Sequence, residues 1–174
     1  MAFSINTFRS GAMTGGGARP NLFECGLVGQ AVPANFNLLC KISSIPPSTM
    51  GVVEVPYFGR MVKVPGNRTF DNLSVTVIND EDMAVRLAIE AWMNKMNSHV
   101  GNKSDLPSGL FAKMTITHFG RATTEIGAGT WDFTNIFPVA LGEIGLDWGS
   151  NDTIEEFTID FAYDYWTHGS STDS

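Results

Sequence analysis

The sequence predicts a mainly β domain, a β-sandwich or partly open barrel with one flanking α-helix. Three observations carry this. Apolar and polar residues alternate with the two-residue period of a strand in many short segments, most cleanly in Phe70–Ile78 and Glu155–Trp166. Only the stretch around residues 80–98 shows the three-four spacing of a buried helical stripe. Eighteen Gly and twelve Phe, with 17% charged residues, fit turns and packed strands better than a helical bundle. A length of 174 residues allows one domain with a substantial core.

Residues 1–20 are small, polar and Gly-rich, with Gly15, Gly16 and Gly17 in a row, and read as a flexible N-terminal arm. Met1 to Gly17 carries one base, Arg9, and no continuous apolar run, unlike a secretory signal; no membrane anchor is expected. Residues 21–166 form the domain and residues 167–174 a polar C-terminal tail.

Strands are expected at 21–31 and 36–43, joined at Val32-Pro33-Ala34-Asn35 as a hairpin. That pairing sets Cys25 opposite Cys40, as a disulfide or, more plainly, as two half-buried thiols. Pro46 and Pro47 stiffen a loop over Ile45–Gly51. Val53, Val55 and Tyr57 then share one strand face, and Pro56 makes this an edge or kinked strand. Arg60, Val62 and Val64 alternate in the next strand, with Pro65-Gly66-Asn67 as a turn.

Phe70–Ile78 is a strong strand with Leu73, Val75 and Val77 inward. The helix follows, N-capped by Asn79 or Asp80, with Asp80, Glu81 and Asp82 suited to its positive end. Val85, Ala88, Ile89, Trp92, Met93 and Met96 form its buried stripe, Arg86 and Glu90 an i,i+4 pair, and it ends by Asn97–Ser98. A polar loop over 99–109 ends in Pro107-Ser108-Gly109. Ala112, Met114, Ile116 and His118 alternate with Lys113, Thr115 and Thr117. A strand from Thr124 to Phe137 is weakened or bulged at Gly127 and Gly129 and stopped by Pro138. Glu143–Asp147 is a short strand.

The last strand, Glu155–Trp166, sets Phe157, Ile159, Phe161, Tyr163 and Tyr165 on one face. Burial at about 1.5–3 kcal/mol per side chain makes it a core strand that fixes register. The predicted core is Leu73, Val75, Val77, Ile89, Trp92, Phe157, Ile159, Phe161 and Tyr163.

Charge is segregated. All eleven bases lie in residues 1–121 beside eight acids, and the remaining residues hold ten acids and no base, for a net −7. Segregation of this kind serves steering and register between subunits, or toward a basic partner. A pI near 4.8 and scattered bases argue against tight nucleic-acid binding.

No catalytic constellation emerges. His99, His118 and His168 are scattered, no His/Cys pair has metal-ligand spacing, and phosphate-loop and Gly-x-Ser-x-Gly motifs are missing. No cofactor, metal or enzyme activity is expected. Glu156, Asp160 and Asp164 share the polar face of the last strand, with about 13 Å between positions four apart. That is too wide for a glycosidase pair. The row reads as a solvated face, or as a surface for a basic partner.

Three segments, in order, resemble the tail tube proteins of contractile-tailed phages of the T-even type. They are Ala18-Arg19-Pro20-Asn21-Leu22-Phe23-Glu24; Gly66-Asn67-Arg68-Thr69-Phe70-Asp71, with Val75-Thr76-Val77 and Asn79-Asp80 behind it; and Gly142-Glu143, Leu146-Asp147-Trp148, Ser150-Asn151 with Asp164-Tyr165-Trp166. Phe36–Pro46 and Ile136-Phe137-Pro138 also fit, so the likeness runs over residues 18–166; the Gly-rich arm and the extended tail depart from it.

The resemblance implies a non-enzymatic structural subunit. It implies hexameric rings stacked into a tube, each subunit giving strands to a ring-wide inner β-barrel around a lumen that conducts DNA. It implies partners: further copies of itself, the tail sheath, a baseplate or tube initiator and a tail terminator, within a virion assembled in the host cytoplasm. DNA passes without specific binding. In that setting Arg19, Pro46, Pro47, Met50 and Arg68 are expected at contacts between subunits or rings. The acidic row Glu156, Asp160, Asp164 faces the sheath or the lumen, the sheath being preferred. Two other readings stay open. One is the inner tube of a phage-like contractile injection system. The other is a ligand-binding β-sandwich using Trp131, Trp148 and Trp166 as stacking platforms.

Overall fold

Residues 4–13, 16–30, 32–101, 103–104, 106, 109–121 and 125–169 are described in the computed structural model. The expectations placed on Gly15, Ala31, Pro107, Ser108 and Thr124, and on the tail beyond Gly169, lie outside them. The arm holds a helical turn, α1 (Ile5–Thr7), running into a wider turn over Phe8–Ala12. Ser4 caps it by accepting from the Thr7 amide, and Ile5 and Phe8 stay exposed.

A seven-stranded sheet forms the body. Its strands are β1 (Phe23–Val28), β2 (Cys40–Ser43), β5 (Leu73–Ile78), β6 (Ala112–Phe119), β7 (Glu125–Leu141), β8 (Glu156–Ala162) and β9 (Tyr165–His168). The order is β1-β6-β7-β8-β5-β2, with β9 also on β7. The sheet folds over without closing, which bears out the partly open barrel. β7 runs through both halves: its first part pairs with β6 and β9, its last part with β8.

One core fills the fold. Leu73, Val75, Val77, Met114, Ile116, Phe133, Phe157, Ile159 and Phe161 are buried, because each sits on the inward parity of its strand. α3 (Ala84–Met96) adds Val85, Ile89 and Trp92. Trp92 donates its indole N–H to the Leu110 carbonyl at 2.7 Å, and its ring lies 6.3 Å from that of Phe161. Arg86 pairs with Glu90 at 3.0 Å, as expected, and its guanidinium also lies over the Phe157 ring. Every predicted core residue except Tyr163 is buried; Tyr163 is half-buried and donates to the Asp71 carbonyl at 2.7 Å.

Several local expectations are corrected. β1 and β2 do not form a hairpin: β1 pairs with β6 and β2 with β5. Between them the chain makes a helical turn, α2 (Phe36–Leu39), which buries Phe36. Cys25 and Cys40 nonetheless meet through packing, as free thiols. The Cys40 thiol, hydrogen-bonded to Cys25, holds Cys25 below the usual thiol range, and that bond together with burial pushes Cys40 up.

The helix begins at Ala84 rather than at the acids, because Met83 takes a left-handed conformation (φ 51°). Asp82 accepts from the Ala84 amide in place of the expected cap. Pro138 does not stop β7; it sits opposite Phe161 where the register shifts, a place that needs no donated N–H. The expected irregularity at Gly129 is present: a Cβ there would lie 2.8 Å from the His118 carbonyl oxygen. Residues 143–147 form no strand. The last strand is interrupted at Tyr163–Asp164, dividing β8 from β9.

Candidate assembly surface

The most prominent surface feature is a ribbon of two strands, β3 (Ser48–Tyr57) and β4 (Arg60–Phe70), which among the described residues pair only with each other. Two long alternating runs meet at a two-residue turn, Phe58-Gly59, where both φ angles are positive (43° and 79°). This is the mirror-image turn that matches strand twist. Gly59 accepts it freely; Phe58 does so at a conformational cost, with its ring 91% exposed.

The pairing gives the ribbon two unlike faces. Val53 opposes Val64, Val55 opposes Val62, and Tyr57 follows on the same side. All five are exposed. The other face is mixed: Glu54 opposes Lys63, a 3.7 Å ion pair in solvent, between the exposed Val52 and Met61. The expected turn at Pro65-Gly66-Asn67 is instead strand: the register slips between Met50 and Val52, and Gly51 and Gly66 touch backbone to backbone. A Cβ on Gly66 would lie 3.1 Å from the Gly51 carbonyl oxygen. The stiff loop is correspondingly shorter than Ile45–Gly51, since β3 begins at Ser48.

The structure sorts the residues expected at contacts. Met50 and Arg68 are brought together as register partners at the root of the ribbon, both exposed. Pro47 is exposed beside them, whereas Pro46 is buried and anchors the root within the subunit. Arg19 lies apart, in the segment leading to β1, where the His118 Nε2–H donates to the Arg19 carbonyl at 2.7 Å.

Arg68 also rims a cup of about 590 Å³ walled by Phe70, Trp131, Tyr165, Trp166 and His168. The Trp166 indole N–H is itself buried and has no partner among the described residues. Two of the three tryptophans expected as stacking platforms, Trp131 and Trp166, thus share a site, while Trp148 lies on the loop between β7 and β8.

The acidic residues do not form one free row. Glu156 is ion-paired with Lys41 across β2–β5–β8. Asp160 is half-buried in the middle of β8, register partner to Ser74 and Ala140. Asp164 lies in the break before β9 and accepts from Asn135. No group of three or more potential metal ligands occurs among the described residues.

Sequence comparison decides the family: residues 6–169 match the family described as phage tail tube protein. The chain belongs to that family. It is 33% identical over 159 residues to the tail tube protein gp19 of Enterobacteria phage T4, covering 86% of this chain and 90% of that protein. It is 25% identical over 167 residues to the tail tube protein of Serratia phage KSP90, covering 92% and 94%. A chain in the cryo-EM structure of the anti-feeding prophage baseplate shares the fold, with TM-score 0.67, 16% identity, and coverage of 87% of this chain and 95% of that one. A chain of the extended sheath–tube complex of an extracellular contractile injection system gives TM-score 0.62 at 19% identity over 96% and 98%.

As a tail tube protein the chain is a structural tube subunit and a virion component. The segments that carry the family likeness fall at distinct places on it. One leads into β1, one forms the end of β4 against the cup, and one lies in the β7–β8 loop and at β9. Sequence reasoning found the alternating valines but missed their pairing in a separate hairpin with Phe58 at its tip, although Gly59 between two alternating runs was a hairpin signal.

Proposed function

We propose that this tail tube protein closes into hexameric rings that stack into the tube of a contractile phage tail, whose lumen conducts DNA during ejection. The observation that carries this reading is the ribbon. A soluble monomer has no use for five exposed apolar side chains on one face of two unpaired-edge strands. In a ring or stack the valine face is covered by the neighbouring copy, and free edges of β1, β2 and the ribbon offer main-chain groups for a sheet continued between subunits. Met50, Pro47 and Arg68 at the ribbon root, and Arg19 before β1, form the margin of these contacts, the two arginines supplying its charge.

The role is structural, with no catalysis and no cofactor. Partners are further copies, the sheath, a baseplate initiator and a terminator, with assembly in the host cytoplasm. No helix among the described residues is long and apolar enough to cross a membrane. A pI near 4.8 favours passage of DNA without binding. The half-buried Asp160 face is assigned to the sheath. The inner tube of an injection system would share this fold; the phage reading is preferred because the relative at 33% identity is a phage protein.

Negative-stain microscopy of the purified protein tests the proposal. Rings or tubes are expected as concentration rises. A strict monomer at high concentration overturns it.

A further inference from the structure

Trp148 is fully exposed (102%) and Leu146 nearly so (85%), side by side on the loop between β7 and β8. The turn that displays them is built. Asp147 accepts from the Gly149 amide at 3.0 Å, its other carboxylate oxygen accepts from the Ser150 hydroxyl, and its carbonyl accepts from the Ser150 amide. An indole held in solvent by a pre-organised turn resembles the aromatic anchors that concentrate binding energy at interfaces.

The same chain carries a site of matching chemistry. The cup rimmed by Arg68 presents the side chains of Phe70, Trp131 and Trp166 and one cation. Arg68 makes no ion pair among the described residues. The loop brings the complement: an aromatic ring flanked by Glu143, Asp147 and Asp152, in a region without a single base. Arg68 over the indole would add a cation–π contact, and the loop carboxylates would offset its charge. The ribbon tip is the competing occupant, but Arg60 beside Phe58 would set like charge against Arg68.

Knob and cup are separated within one subunit. Trp131 lies ten residues before Leu141 on β7, up to about 33 Å of extended strand, and the knob lies beyond that. A knob on one part of a subunit and its pocket on another make a heterologous contact, which propagates from copy to copy.

We propose that Trp148 of one copy inserts into the Arg68–Trp131–Trp166 cup of a second copy in the assembled tube. This rests on the tube reading above.

The test replaces Trp148 in the full chain with p-benzoylphenylalanine, irradiates assembled tubes and maps cross-links by mass spectrometry. Cross-links are expected at residues 68–70 or 165–168 of another copy. Cross-links to any other surface of this chain, to the sheath protein in sheathed tails, or to nothing overturn the inference. Separately, W148A should raise the protein concentration needed for tubes by about tenfold or more. Its melting temperature should be unchanged, because the side chain is fully exposed in the subunit; W148F should recover part of the loss. If W148A tubes form at the wild-type concentration, the knob is dispensable and the inference fails while the tube reading stands. If the unmodified chain forms no tubes, the tube reading itself has failed.

Discussion

Asn135 donates its side-chain amide to the Asp164 carboxylate at 2.6 Å, tying the bend in β7 to the break between β8 and β9. Asn135 is in the left-handed conformation (φ 55°), and the Asp164 amide donates to Thr134 at 3.2 Å, so both irregularities brace each other. D164A should therefore destabilise the subunit by about 1 kcal/mol, the usual net worth of a partly solvated charged hydrogen bond. Urea unfolding of the unassembled chain checks this. No change in midpoint would make Asp164 an ordinary surface acid.

Asp160 is the better probe of the acidic face, since it holds no such structural bond among the described residues. D160K should leave bare tubes intact and weaken sheath attachment, read by co-sedimentation of sheath with preformed tubes. Failure of bare tubes would instead place this face at a joint between subunits.

The ribbon separates folding from assembly. V55K combined with V62E puts a pair of opposite charges on its apolar face without touching the core. The subunit should keep its stability within about 0.5 kcal/mol, as for other surface changes. Tubes should be lost by electron microscopy. Tubes of normal length from this variant would show that the valine face stays in solvent.

Tyr163 gives a pH signature. Burial, with the nearby Asp71 charge second, pushes its phenol up to about 12 from 10.0. A pKa raised on folding stabilises the fold fully below the unfolded value, and that contribution fades as pH climbs from about 10 toward 12. Unfolding midpoints of the wild type should fall across that window. Y163F should lose part of the slope; an identical slope would assign it to other groups.

Trp92 is the core residue with a second task, linking α3 to the approach of β6 through Leu110. W92F keeps most of the packing but strands a buried carbonyl, at about 1–3 kcal/mol. W92A adds a cavity and should reach about 3–5 kcal/mol. Equal losses for the two variants would mean that the hydrogen bond, not the packing, dominates.

These cases also show why some of the fold was readable in advance. β5, β6, β8 and α3 bury one face within their own subunit, so their periodicity reports the core directly: Leu73, Val75 and Val77 against Phe157, Ile159 and Phe161. The region around β1 and β2 was misread because nearness in sequence favours a hairpin, whereas the partners that complete their hydrogen bonding lie on β6 and β5. Pro65 and Pro138 looked like breaks, yet each sits at a register slip where a missing N–H costs little.

The site was less legible than the core. Met50 and Arg68 lie opposite one another in the exposed ribbon, but Pro46 turned inward and Glu156 is ion-paired with Lys41. Alternation in Val53, Val55, Val62 and Val64 was visible, but nothing in one chain says whether an apolar face turns to its own core or to a neighbour. That distinction needs the third dimension.

The solitary ribbon bears on how growth would start. Two strands bonded only to each other are marginal in water, so amide exchange there should be fast in the free chain and slow in the polymer. Docking then includes a folding step. A growing end supplies enough contacts to offset the lost chain entropy, whereas the first few encounters between free subunits do not. The ribbon would thus act as a brake on nucleation, leaving the first ring to form wherever a template already presents a finished rim.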